Sequence, residues 1–179
     1  DVKFPAIGEK AMTIKLEFVS VFDPTQKATG PRIPFGKEIE IPEQPNVAEL
    51  FKNPKTAPPR PEWSPLEVVA RDLTRKDNRL FARNTVNRLW FALNGRGFVW
   101  PLDAHHSSNP ASHPELLEAL TAAFVASDFE IKSLLREIAL SETYQRSTRL
   151  PEGVESASAA PKANTFLVAV EKRLSTEQL

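Results

Sequence analysis

Residues 78–90 read N-R-L-F-A-R-N-T-V-N-R-L-W, and residues 95–99 read G-R-G-F-V. Ala82, Val86, Leu89, Trp90 and Leu93 recur at three- and four-residue intervals, which lines them along one side of an α-helix. The spacing predicts a helix over 79–93 that Gly95 and Gly97 stop, since glycine tolerates the left-handed backbone of a helix C-terminus. On the N-terminal side, Ser64-Pro65-Leu66-Glu67 has the form of a capping box with proline at the first helical position. It opens a helix whose Leu66, Val69, Ala70 and Leu73 keep helical spacing. On the C-terminal side, Ser112-His113-Pro114-Glu115 repeats the signal, with Ser112 as N-cap and Glu115 three residues on. Leu116, Leu117, Leu120, Ala123 and Phe124 form the predicted buried face of that helix. Asp128 is the expected cap of a further helix, with Ile131, Leu134, Leu135 and Ile138 inward.

The first third of the chain has a different period. Ile14, Leu16 and Phe18 alternate with Lys15 and Glu17, the pattern of a half-buried strand within residues 12–22. Asp23-Pro24 signals a turn, and Gly30-Pro31 and Pro34 break the backbone again. Ile39 and Ile41 alternate with Glu38 and Glu40, so a second strand over 37–41 is expected to pair with the first. Asn46 is a candidate cap for a short helical turn. Pro54, Pro58, Pro59, Pro61 and Pro65 then stiffen the chain into a spacer. The expected fold is α+β, mainly α: a small β-rich N-terminal segment followed by a helical bundle of four or more helices. The expected division is 1–53 as the β-rich segment and end of a preceding domain, 54–62 as a proline-rich linker, and 63–179 as the helical domain. Residues 151–161 are rich in Ser and Ala without periodicity and read as a loop. Ser175 and Gln178 form an S-x-x-Q cap at the chain's end, which predicts a helical domain continuing past Leu179.

Composition narrows the function classes. The 179 residues carry 23 Lys and Arg against 23 Asp and Glu, a net charge of +0. Bulk charge therefore gives no hold on nucleic acid or an acidic membrane. Cysteine is absent, which removes disulfides, thiolate metal ligands and thiol nucleophiles from this chain. No apolar run approaches the ~18 residues of a membrane-spanning helix.

Polar chemistry gathers between residues 79 and 146. Asp103, His105, His106 and His113 bring a carboxylate and all three histidines together, a donor set suited to zinc. Their spacing matches no metal motif, and neighbouring His105 and His106 point apart on any regular element, so no metal site is expected. Arg83 and Asn87 share a helix face at i,i+4, and Arg88 and Arg96 follow. Their guanidinium groups suit carboxylate, phosphate or sulfate, but pairing with Asp72, Asp77, Asp103 or Glu115 is the simpler use. His113 and Glu115 are the candidate acid–base pair, while Glu115 and Glu118 are weak as paired glycosidase carboxylates because Glu115 has a capping task. Trp90 lies on the apolar stripe; Trp100 is the candidate exposed platform.

These segments together resemble the planctomycete PSD-one domain of unknown function. The resemblance runs through Asn78–Trp90, Gly95–Val99, Ser112–Leu117, Phe124–Ser127, Leu134–Ile138 and Ser141–Ser147 (S-E-T-Y-Q-R-S), and through Arg173–Leu179, so it covers residues 63–179. It implies an exported, periplasmic or cell-envelope protein with sibling domains, and haem c elsewhere in the full polypeptide rather than any cofactor in this chain. It implies no catalytic activity. Arg83, Asn87, Arg88, Arg96, Ser112, His113, Glu115, Tyr144 and Arg146 fall on its motif and form the expected polar network; His105-His106 departs from it. The first functional reading is a binding or scaffolding module that meets sibling domains or a polysaccharide. The alternatives are an enzyme domain acting on exported polysaccharide through His113, and a passive structural part of a redox protein.

Overall fold

The computed structural model describes residues 15–43, 63–150, 152 and 161–171. Its elements are strands β1 (Leu16–Ser20) and β2 (Asp23–Thr29), then helices α1 (Pro65–Leu73), α2 (Arg79–Asn94), α3 (Pro114–Ala126) and α4 (Ile131–Leu140). A 3-10 turn follows at Ala163–Thr165. The chain is thus α+β and mainly α, as expected. It divides into two compact units, residues 1–75 and 76–179. The turn expected at Asn46, the 54–62 linker and the cap at Ser175 lie outside the described residues, as does most of the 151–161 loop.

In the first unit β1 and β2 form an antiparallel hairpin, with Leu16 opposite Thr29, Val19 opposite Gln26, and an irregularity between Val19 and Ser20. The partner strand is therefore Asp23–Thr29 and not 37–41. Asp23 does not end the strand region but anchors the second strand. One carboxylate oxygen accepts from the Thr25 amide at 3.1 Å and its hydroxyl at 2.8 Å, and the other meets Lys27 at 2.7 Å. That Lys27 contact is the main reason the Asp23 carboxyl stays more acidic than usual. The 37–41 stretch runs beside the hairpin's exit, where Ile39 N–H donates to Pro31 O at 2.9 Å and Glu38 pairs with Lys15. Prolines 31 and 34 deny that region a ladder of donors. The face expected to be half buried is open: Leu16 is 61% and Phe18 41% exposed.

Helix α1 starts as its cap predicts, with Glu67 N–H donating to Ser64 Oγ at 3.0 Å. Its buried side chain is Val68, while Leu66 and Ala70 are exposed and Val69 and Leu73 half buried. The inward row is Ser64–Val68, about one residue's rotation, ~100°, from the row expected.

In the second unit α2 packs against α3 and α4, and α3 against α4. Asn78 Oδ1 caps α2 by accepting from Phe81 N–H at 3.4 Å. Gly95 ends it with φ 76° and donates to Phe91 O at 2.8 Å. The core gathers Ala82, Val86 and Trp90 from α2, Leu117 and Phe124 from α3, and Leu134 and Ile138 from α4. Phe98, Val99, Ala111 and Phe166 reach it from loops. Burial of these side chains is the main drive for the unit, at about 1.5–3 kcal/mol for each large one.

Both later caps differ from expectation. Helix α3 begins at Pro114, so His113 takes the N-cap position, without a side-chain capping bond, and Ser112 stands one residue outside. Proline favours the first helical position and drives its predecessor out of helical geometry, which decides the start. Leu116 and Ala123 are exposed, leaving Leu117, Thr121 and Phe124 as the buried row. Helix α4 is capped by Glu130, whose carboxylate accepts from Lys132 N–H at 3.2 Å, and not by Asp128. Asp128 and Phe129 hold consecutive left-handed conformations at φ 59° and 62°. Asp128 instead meets Lys76 at 3.0 Å, and the Phe129 ring packs edge-on to Phe124 at 5.3 Å and Phe81 at 5.9 Å. Ile131, at the first position of α4, is exposed.

Candidate functional site

The polar motif residues separate by depth. Asn87 is the innermost, fully buried on α2. Its Nδ2 donates to Val99 O at 3.1 Å, and Val99 N–H donates to its Oδ1 at 3.0 Å. One carboxamide thereby satisfies both backbone groups of a buried loop residue, as burial requires. Gly97 makes the approach possible. A Cβ at 97 would lie 2.8 Å from Asn87 Oδ1 and 2.8 Å from Val99 O. Gly97 is thus a close-approach glycine and not a second helix stop. Phe98, between them, stacks on Trp90 at 4.4 Å, and its carbonyl accepts from Ser112 N–H at 2.8 Å. The G-R-G-F-V segment is bolted to α2 and to the entry of α3.

The arginines form an outer layer. Glu118 of α3 receives two of them: Arg79 Nη2 donates to Oε2 at 2.9 Å, and Arg83 Nε lies 3.2 Å from Oε1. The second approach is an ionic contact without hydrogen-bond alignment, since Arg83 Nε has no hydrogen-bond partner. Arg88 pairs with Asp103. Arg146 Nη1 donates to Phe166 O at 3.1 Å, tying the segment after α4 to the returning chain. Arg96 differs: its guanidinium stands over the Trp100 ring, 5.5 Å from the centroid, and its buried Nε has no partner. Tyr144 is exposed and lines a shallow groove with Leu93, Asn94, Thr143, Phe166 and Val168.

A family model described as "PSD1: Protein of unknown function (DUF1553)" matches residues 67–179. The chain belongs to this family. No curated protein and no solved structure matches it. The matched PSD1 region contains the Asn87–Gly97–Val99 contact and the arginine layer, so the motif residues of this PSD1 domain are chiefly internal connectors.

The histidines of the PSD1 domain do not converge. Among the described residues no three His, Asp or Glu side chains come together to hold a metal ion. His105 lies near Arg83 and Arg88; burial, and then those two cations, hold its imidazole below the ordinary value, with Asp103 opposing. His106 is exposed and bridges to Asn109 through the backbone. His113 is half buried among aromatic rings, 5.5 Å from Phe166 and 6.3 Å from Phe98, and its Nδ1 lies 3.2 Å from Ser112 Oγ. Glu115 is exposed on the first turn of α3 and is not bonded to His113. Among the described residues no carboxylate bonds His113, so the acid–base pairing of His113 and Glu115 is not assembled.

Sequence reasoning reads Phe166-Leu167-Val168 as apolar enough to need a core but not what Phe166 meets there, and it missed Asn109. Phe166 sits against Trp90, Phe98 and His113 from more than fifty residues away, which no local pattern encodes. Asn109 Nδ2 donates to Ala104 O at 2.8 Å and Trp100 O at 3.3 Å, closing the loop that carries Trp100. The Asn109-Pro110 pair, a common turn signal, was the available hint.

Proposed function

We propose that this PSD1 domain is a scaffolding module of an exported, cytochrome-associated multidomain protein, meeting sibling domains of the same polypeptide. The observation that carries the reading is the fate of the motif's polar side chains. Asn87, Arg83, Arg88 and Arg146 are each engaged by a named partner inside the module. Such a motif holds a shape, and a held shape is what positions neighbours. The family resemblance supports export and a haem c on another domain; with no cysteine, this chain has no C-x-x-C-H site for covalent haem. No helix among the described residues is long and apolar enough to cross a membrane. The test is calorimetry of the full-length protein with and without Asn87→Ala. A scaffold lowers the melting of adjoining domains together with its own. Adjoining domains that melt at unchanged temperature refute the reading.

A further inference from the structure

The Arg96–Trp100 pair has no structural task comparable to those of the other motif arginines. Arg79, Arg83 and Arg88 face carboxylates and Arg146 a carbonyl, whereas Arg96 makes no ion pair or hydrogen bond among the described residues. Its guanidinium lies 5.5 Å from the Trp100 centroid. Trp100 follows three buried residues, Gly97, Phe98 and Val99, yet is itself 41% exposed. The ring is nonetheless held in place. Phe91 of α2 supports it at 5.4 Å, and Asn109 Nδ2 donates to its backbone carbonyl at 3.3 Å. An exposed indole on a rigid loop, beside a cation without a counter-ion, is a preorganised surface with an unfilled demand for negative charge.

We infer that Arg96 and Trp100 form a binding site for an acidic saccharide. With Arg96 over the ring and Phe91 packed against it, the apolar C–H face of a pyranose lies against the part of the indole these two leave exposed, and a ring carboxylate takes the guanidinium fork. Arginine suits this because its donors are planar, paired and permanently charged. The site is independent of the scaffolding reading, since Asn87 and Glu118, which hold the module together, take no part in it. The net charge of +0 makes the recognition local, so binding depends on these two side chains and weakens with salt.

The test is isothermal titration of the intact chain with oligogalacturonate, with its methyl ester, and with a poly-glutamate peptide of equal charge. Binding of oligogalacturonate that falls about tenfold or more on esterification, and equally in Arg96→Gln and Trp100→Ala, supports the site. Arg96→Lys, which keeps charge but loses the fork, recovers part of the affinity, and Trp100→Phe keeps part of the stacking if the alanine variant is poorly folded. Circular dichroism melts of Arg96→Gln stay within a few degrees of the parent. No binding of oligogalacturonate by the parent chain overturns the proposal. So does equal binding of the methyl ester, tighter binding of the peptide, or unchanged affinity in both Arg96→Gln and Trp100→Phe.

Discussion

Replacing Asn87 by alanine leaves Val99 N–H and C=O buried without the partners they hold at 3.0 and 3.1 Å. Water cannot readily replace them, because Val99 is 2% and Asn87 0% exposed. An orphaned buried polar group costs about 1–3 kcal/mol, so about 1.5 for each gives a loss of about 3 kcal/mol. For a unit spanning residues 76–179, a loss of that size lowers the melting temperature by roughly 12–24 °C, at about 4–8 °C per kcal/mol. The assay is urea unfolding followed at 222 nm, checked by calorimetry. Asn87→Asp separates hydrogen bonding from volume. It keeps the acceptor for Val99 N–H but loses the donor and buries a carboxyl. Its folded-state pKa is raised above the unfolded value, so ionisation opposes folding and the variant regains stability as pH falls. A loss under about 1 kcal/mol for Asn87→Ala, with unchanged m-value, refutes the claim that this contact holds the loop.

Three further predictions follow from neighbouring contacts. Gly97→Ala forces a methyl against Asn87 Oδ1 and Val99 O, and urea unfolding is expected to show a loss of about 1–3 kcal/mol, not additive with Asn87→Ala because the two act on one contact. Glu118→Gln removes the charge shared by Arg79 and Arg83. The pairs are partly exposed, so the loss is about 0.5–1 kcal/mol and shrinks in 1 M salt, which melts at low and high salt will show. His105 has a folded-state pKa below its ordinary value through burial and then Arg83 and Arg88. The unfolded chain therefore takes up its proton first, and stability falls as pH drops below the ordinary histidine value of about 6.5. The fall ends once pH passes below the folded-state value, and His105→Gln is expected to flatten that part of the pH profile.

Local signals were legible wherever the backbone itself sets the outcome. Ser64 and Gly95 mark helix ends because capping and φ depend on one to three neighbouring residues. The apolar stripe of α2 was legible for the same reason, and so was the predominance of helix. Two expected caps fell just outside the helices they were to start. Ser112 was the expected cap, but Pro114 takes the first helical position and leaves the N-cap to His113. Asp128 was the expected cap, but the left-handed pair at Asp128 and Phe129 moved the start of α4 to Ile131, behind Glu130. Strand pairing failed for a related reason: 37–41 has the right alternation, but the side-chain contacts of Asp23 draw the nearer segment into the hairpin.

The candidate site was legible as a set of residue types and not as a set of roles. Arg83 and Asn87 share a helix face by spacing, yet one reaches Glu118 at the surface and the other turns into the core toward Val99. Only packing distinguishes them, since a carboxamide is useful inside when a backbone peptide happens to lie opposite it. Sequence by itself determined the helices, the ends at Ser64 and Gly95 and the family, because those depend on periodicity and on neighbours along the chain. Tertiary structure determined that Phe166 closes the core, that Gly97 yields its space to Asn87, and that Arg96 alone among the motif arginines described here is left facing an exposed aromatic ring. Those outcomes rest on contacts between residues far apart in the chain, whose energies exist only once the helices have packed.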